Sequence, residues 1–236
     1  MRIWHISDTH TFHGLLNIPE NIDMVIHSGD CSNPRDPYMN EHEVLNFIEW
    51  FGQLPIKYKI FVAGNHDTSI EKRLVKPKQI KDKDIIYLEN DGITIEGLNI
   101  WGSPITPTFG MGWAWNRDRG KIYKVWDNIP DDTDILVVHG PPKGILDKSF
   151  NHINELEMCG CSNLRKRVEE LNLKFCMFGH IHNNKTDKSN AGSMKLVGKD
   201  TTYSNGACVK PCRTVFDDVL LAPAISAPES ETPVLS

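Results

Sequence analysis

The stretch Arg2-Ile3-Trp4-His5-Ile6-Ser7-Asp8-Thr9-His10 decides the fold. A short apolar run passes directly into polar side chains of the kind that bind ligands. The pattern recurs along the chain. The run 24–28 ends in Gly29-Asp30, and 59–63 ends in Gly64-Asn65-His66-Asp67. The run 134–138 ends in His139-Gly140-Pro141-Pro142, and 174–178 in Gly179-His180-Ile181-His182. These runs are continuously apolar rather than alternating, which predicts strands buried on both faces. Between them, 41–54 carries Val44, Leu45, Ile48 and Phe51 at the spacing of an amphipathic helix. Ser162 reads as the N-cap of a helix to Leu171, with Leu164 and Val168 on its apolar side. Residues 116–126 are a further helical candidate. Strands alternating with helices predict an α/β domain, in which ligands bind beyond the carboxyl ends of the strands.

The remaining segments read as follows. Runs 85–89 and 93–101 flank Asn90-Asp91-Gly92, a hairpin-turn signal. Strands are expected at 201–203 and 213–216. Residues 76–84 read as a solvated mixed-charge loop. A single domain is expected over 1–221, followed by an irregular tail, 222–236, poor in large apolar groups.

With 39% hydrophobic and 24% charged residues, the 236-residue chain has ordinary globular composition, which excludes a disordered or collagen-like polymer. A net charge of −5 argues against an extended nucleic-acid surface, whereas an anionic substrate remains open if bound cations supply positive charge. No apolar run is long enough to span a bilayer, and the start resembles a strand rather than a signal peptide. An intracellular, unsecreted protein without membrane contact is therefore expected. The six cysteines lack zinc-ribbon spacing, Cys159 and Cys161 included, and are expected to be free thiols.

The strand-end clusters contain Asp8, His10, Asp30, Asn65, His66, His139, His180 and His182. In extended backbone, residues i and i+2 point the same way, so Asp8 with His10, and His180 with His182, could each aim two donors at one side. Mixed carboxylate, imidazole and amide donors suit Mn, Fe or Zn better than Ca or Mg. Taken singly, each cluster also fits ordinary turn chemistry; five in succession, each after an apolar run, point to a metal site.

In this order, Asp8-x-His10, Gly29-Asp30, Gly64-Asn65-His66-Asp67, His139 and Gly179-His180-x-His182 resemble the calcineurin-like metallophosphoesterase superfamily. The resemblance spans about residues 2–217. Residues 6–10, 59–67, 139–142 and 104–116 look like its class III cyclic-nucleotide-phosphodiesterase-like group. The resemblance implies a four-layer αββα sandwich with two divalent transition metals, Mn favoured, at the strand ends. By the same resemblance, Asp8, His10 and His182 would hold the first metal, Asp30 would bridge, and Asn65, His139 and His180 would complete the second site. His66, oriented by Asp67, would assist the leaving group while a water activated between the metals attacks phosphorus. The implied substrate is a small phosphodiester, with cyclic nucleotides foremost. A phosphomonoesterase, a nuclease or a weakly active nucleotide-binding protein are the alternatives. Asn65 and His66 would touch the phosphate. Trp113, Trp115 and Asn116, in a Gly-rich loop, could stack and read a base, although both tryptophans could equally pack the loop onto the core. Arg35, a few residues after Asp30, could touch phosphate or remain solvated.

Overall fold

The computed structural model describes residues 1–150, 153, 155–182, 190–208 and 225–226. Two sheets face one another. The first is built from β1 (Arg2–Ile6), β2 (Met24–His27), β3 (Tyr58–Phe61) and β4 (Ile86–Tyr87), all parallel. The second holds β5 (Asp91–Ile95), β6 (Leu98–Ser103), β9 (Ile135–Val138), β12 (Phe175–Phe178), β13 (Gly192–Lys195) and β14 (Thr202–Asn205). In it β6, β9, β12 and β14 run parallel, and β5 and β13 lie antiparallel on the two edges. Small ribbons pair β7 (Thr106–Pro107) with β8 (Asn116–Arg117), and β10 (Lys148–Phe150) with β11 (Leu156–Met158).

Alternation along each strand explains the layers. Ile3, Met24, Ile26, Ile60 and Val62 meet Ile100, Ile135, Val137, Phe175 and Met177 in a core between the sheets. Their neighbours Trp4, Val25 and Phe61 face the other way, onto α1 (Pro37–Gly52), with α2 (Thr68–Glu71) and α3 (Pro77–Lys81) beside it. Leu136, Val138, Cys176 and Phe178 point outward onto α4 (Tyr123–Trp126) and α5 (Ser162–Glu170). The architecture is the four-layer αββα sandwich that the family resemblance implies. Among the described residues no helix is long and apolar enough to cross a membrane, and Cys31, Cys159, Cys161, Cys176 and Cys208 are free thiols.

Local details differ from the sequence reading. Helix α1 starts four residues before the expected Glu41, because Asp36 accepts from the Tyr38 and Met39 amides and Pro37 supplies the first helical φ. Its buried face is Val44, Phe47, Ile48 and Phe51; Leu45 lies a third exposed, one helical step off that face. The hairpin turns at Glu96 and Gly97, where both φ values are positive as a two-residue turn requires. Asn90-Asp91-Gly92 instead carries the chain from one sheet to the other. Cys161, not Ser162, caps α5, its Sγ accepting from the Leu164 amide. Residues 76–84, expected to be loop, contain α3, started by the Lys76 amide donating to Gln79. Of 116–126 only α4 is helical; Asn116–Arg117 form β8 instead. The expected strand 213–216 lies outside the described residues, as does the tail apart from β15 (Ile225–Ser226), which pairs antiparallel with β1.

One inward-facing histidine ties the sheets together. His5 on β1 meets Ser204 Oγ of β14 at 2.8 Å and Ser28 Oγ at 3.0 Å. Burial lowers its pKa from 6.5 to about 3. The unfolded chain therefore takes up a proton below pH 6.5 that the folded chain refuses until about pH 3, so stability falls as pH drops across that window. The limiting slope from one such group is about 1.4 kcal/mol per pH unit. Urea unfolding across pH 7 to 4 should show a shallower acid loss in His5→Gln than in wild type, by about one proton.

Candidate metal centre

Five strand ends converge on one point between the sheets. After β1 the chain does not stay extended. Asp8 and His10 adopt φ of 50° and 42°, Asp30 after β2 adopts 59°, and His180 after β12 adopts 68°. Left-handed backbone at four non-glycine residues of ligand type is a concentration of strain that the surrounding structure must impose. The donors are aimed by these turns, not by the extended i, i+2 geometry expected from the sequence.

Glycines allow the close approach. A Cβ on Gly179 would collide with the Asp8 carboxylate and Ser7 Oγ, and one on Gly64 with the Asp30 carboxylate. Asp8 accepts the His180 amide at 2.9 Å. Asp30 Oδ1 accepts the His66 amide at 2.7 Å.

The imidazoles are oriented by backbone carbonyls. His10 Nδ1 donates to Ser32 O at 2.9 Å, His139 Nδ1 to Ser28 O at 2.9 Å, and His66 Nδ1 to Asn33 O at 2.8 Å. A carbonyl can only accept, so each of these nitrogens carries the proton and each Nε2 is left to the site. His139 Nε2 lies 2.9 Å from Asn65 Oδ1 and 3.2 Å from Asp30 Oδ2. His182 Nε2 lies 3.8 Å from Asp8 Oδ1.

Three overlapping groups have ligand atoms within 4.8 Å of one another: Asp8, His10 and His182; His10, Asp30 and His66; and Asp30, His139 and His180. The first and third contain the carboxylate and imidazole donors that the family resemblance assigned to two separate ions, with Asp30 in the second and third. Buried, converging nitrogen and oxygen donors fit a pair of borderline cations. The electrostatics fit as well. Burial opposes charge on Asp30, but His139 and His66 beside it hold its carboxyl well below the usual range. Burial lowers His180 to about 3, with the His139 charge adding, so His180 offers a lone pair at neutral pH. His139 is also opposed by burial, yet Asp30 raises it to about 9, so without a cation its Nε2 keeps a proton between Asn65 Oδ1 and Asp30 Oδ2, and a bound metal ion would take that proton's place.

A sequence model described as calcineurin-like phosphoesterase matches residues 1–184. The chain belongs to that family. Members use a dinuclear divalent metal centre, and the groups above are where this chain could hold one. Metallophosphoesterase domain-containing protein 1 of Homo sapiens is 33% identical over 228 residues, covering 86% of this chain and 64% of its own length. The UPF0046 protein K07C11.7 of Caenorhabditis elegans is 30% identical, covering 88% of this chain and 69% of its own. The chain thus spans about two thirds of these relatives. The solved structure of the Thermus thermophilus protein TT1561 superposes with a TM-score of 0.57 at 12% identity, over 86% of this chain and 88% of its own. That likeness concerns the fold.

Other family positions sit differently from their sequence reading. Asp67 does not orient His66; the Asn33 carbonyl does. The Asp67 carboxylate is filled instead by six donors. Oδ2 accepts from the Gly64 amide at 2.7 Å and the Asp30 amide at 3.0 Å. Oδ1 accepts from Ser32 Oγ at 2.7 Å, the Cys31 amide at 3.1 Å, Cys31 Sγ at 3.2 Å and the Ser32 amide at 3.3 Å. Burial and the Asp67 charge push the Cys31 thiol well up, so it remains a donor. Trp115 is buried in the core, its amide on Glu71 Oε1 at 2.8 Å, and does not face the site. Asn116 braces its own loop, donating to Thr106 Oγ1 and the Ala114 carbonyl. Trp113 does reach the site, its ring 4.5 Å from His66.

Two neighbours had no sequence signal as site residues. Phe109 lies 4.8 Å from His180. Asn40, buried on α1, donates to Ser32 Oγ, the Pro34 carbonyl and the His66 carbonyl. It precedes the helix expected at 41–54, and only the earlier start at Pro37 brings it onto the buried face of α1.

Replacing Asp67 by Asn turns one acceptor oxygen into a donor facing amides. Asp67→Asn should cost about 3 kcal/mol, a Tm drop of about 6–12 °C for a chain of this size. Calorimetry of the metal-free protein checks it, since unaltered melting would mean that the clamp contributes nothing.

Proposed function

We propose that this protein hydrolyses small phosphodiesters, cyclic nucleotides foremost, with two divalent transition metals, Mn favoured. The observation that supports the reading is the convergence of Asp8, His10, Asp30, Asn65, His139, His180 and His182 around one point, with His66 beside them. Asp8, His10 and His182 would hold one ion, Asn65, His139 and His180 the other, and Asp30 would serve both. When bound, the ions supply positive charge against the phosphate and an activated water as nucleophile.

The chain's own groups do the rest. Asn65 Oδ1 lies toward His139 and would be the ligating atom, which leaves its amide N–H for a phosphate oxygen. His66 is no part of either ligand set. Its Nε2 faces the site 4.0 Å from Asp30 Oδ2, and its Nδ1 is fixed on Asn33 O. In the imidazolium form it holds a proton at Nε2 and passes it to the departing oxygen. General acid catalysis of this kind contributes about 10²–10⁴-fold.

A cavity of about 650 Å³ opens beside His180 and His182, lined also by Phe109, Arg119, Ser149 and Glu157. Its size suits the organic half of a nucleotide-like ester.

Two metal ions per chain should be found after Mn loading and dialysis, and Asp30→Asn should lose both together, because Asp30 is the donor they share. His66→Ala should keep both ions. It should lose about 10²–10⁴-fold in kcat/KM on a cyclic nucleotide, whose alkoxide needs a proton to leave. The loss should be far smaller on bis-p-nitrophenyl phosphate, whose phenolate is a weak base. Equal losses on both esters would remove the general-acid role.

A further inference from the structure

Trp113 is already partly covered. The Arg35 guanidinium carbon lies 3.8 Å from the centre of its ring, a close cation–π contact. The same indole lies 4.5 Å from His66 and 5.8 Å from Phe109. A guanidinium seated on one face of the indole closes that face to a planar base. The arginine ion pairs among the described residues belong to Arg73, Arg165 and Arg167. Arg35 is exposed and makes none of them.

The backbone under Arg35 is braced. The Asn33 carbonyl holds His66 Nδ1, and Asn33 Nδ2 donates to the His10 carbonyl at 3.0 Å. Asn40 Nδ2 donates to the Pro34 carbonyl at 3.0 Å. Asp36 is committed to the first turn of α1. One pinned segment, residues 33–36, thus orients His66 through its backbone and presents Arg35 through its side chain. Trp113 joins the two side chains from above.

We infer, on the basis of the phosphodiesterase reading, that Arg35 contacts the substrate. Its guanidinium, held against Trp113, takes a phosphate-type oxyanion on the His66 side of the site, and Trp113 is its platform rather than a base-stacking surface. Arginine suits this place because it can lie on an aromatic face and still offer N–H groups at its edge.

The test uses the Mn-loaded enzyme. Arg35→Ala and Trp113→Ala should each raise KM for a 2′,3′-cyclic nucleotide that also carries a 5′-phosphate about ten- to hundredfold, the range for a lost charged hydrogen bond, with kcat changed far less. The double variant should be no worse than the more damaged single, because both remove one interaction. Arg35→Lys should not rescue, since a lysine ammonium cannot stack as a plane. A readout without turnover is Trp113 emission, taken as wild type minus Trp113→Phe. Inorganic phosphate should shift it in the wild type and not in Arg35→Ala.

A 2′,3′-cyclic nucleotide with and without a 5′-phosphate separates two sources of the oxyanion. Equal KM increases in Arg35→Ala assign the scissile phosphate, and an increase only with the 5′-phosphate assigns the second one. No increase with any ester, or additive losses in the double variant, would overturn the inference. A wild type that is loaded with metal yet cleaves no diester would refute the proposed function instead, leaving the phosphate titration to decide Arg35.

Discussion

The buried Asp67 carboxylate is the constraint on which the site depends. Its two oxygens draw together the amides of Asp30, Cys31, Ser32 and Gly64, so the loops after β2 and β3 cannot move independently. Asp30 is held in a left-handed conformation at the end of that clamp, with the Cα of Gly64 passing where a side chain would strike its carboxylate. Burying an anion is costly unless every lone pair is used, and six donors meet that condition. The clamp also explains how β3 and the short turn that follows can present Asn65 and His66 rigidly. A backbone fixed on both sides transmits its geometry to the side chains it carries.

A second level of support comes from α1. Asn40 uses both ends of its amide: Nδ2 on Ser32, Pro34 and His66, and Oδ1 accepting the Ser69 amide and hydroxyl. The helix layer is thereby tied to the strand-end loops by polar bonds, in addition to the apolar contact of Phe47 and Phe51 with the sheet. Buried polar networks of this kind are valuable only when fully satisfied, and this one is specific about where the chain goes.

The aromatic loop above the site is built differently. Its roots are fixed by the short β7–β8 ribbon, by Asn116, by the buried Trp115 and by the Ala114 amide on the Asn65 carbonyl. Its outer part carries Phe109 and Trp113 toward His180 and His66, and leaves Met111 exposed. Stable roots with an exposed tip suit recognition, because the tip can vary without disturbing the ligands beneath it.

The sequence by itself determined the class of fold and the inventory of the centre. Continuous apolar runs announce strands covered on both faces, and a polar cluster after each run places Asp8, Asp30, Asn65, His139 and His180 at strand ends. Both signals are local, carried by residue type and spacing. Only the tertiary structure decided the partners. Asp67 reads as a neighbour of His66 in sequence, yet its bonds go mainly to residues some 35 positions away, and His66 is oriented by Asn33 instead. Trp113 and Trp115 look equivalent in a Gly-rich loop, but the positive φ at Trp115 turns its ring into the core while Trp113 meets Arg35 and His66. The hairpin turns at Glu96-Gly97 rather than at Asn90-Asp91-Gly92, because the chain changes sheets at 90–92 and the two positive-φ residues return the exposed edge strand β5 onto β6. Hydrogen-bond partners and side-chain directions depend on contacts between distant segments, and those exist only once the two sheets have packed.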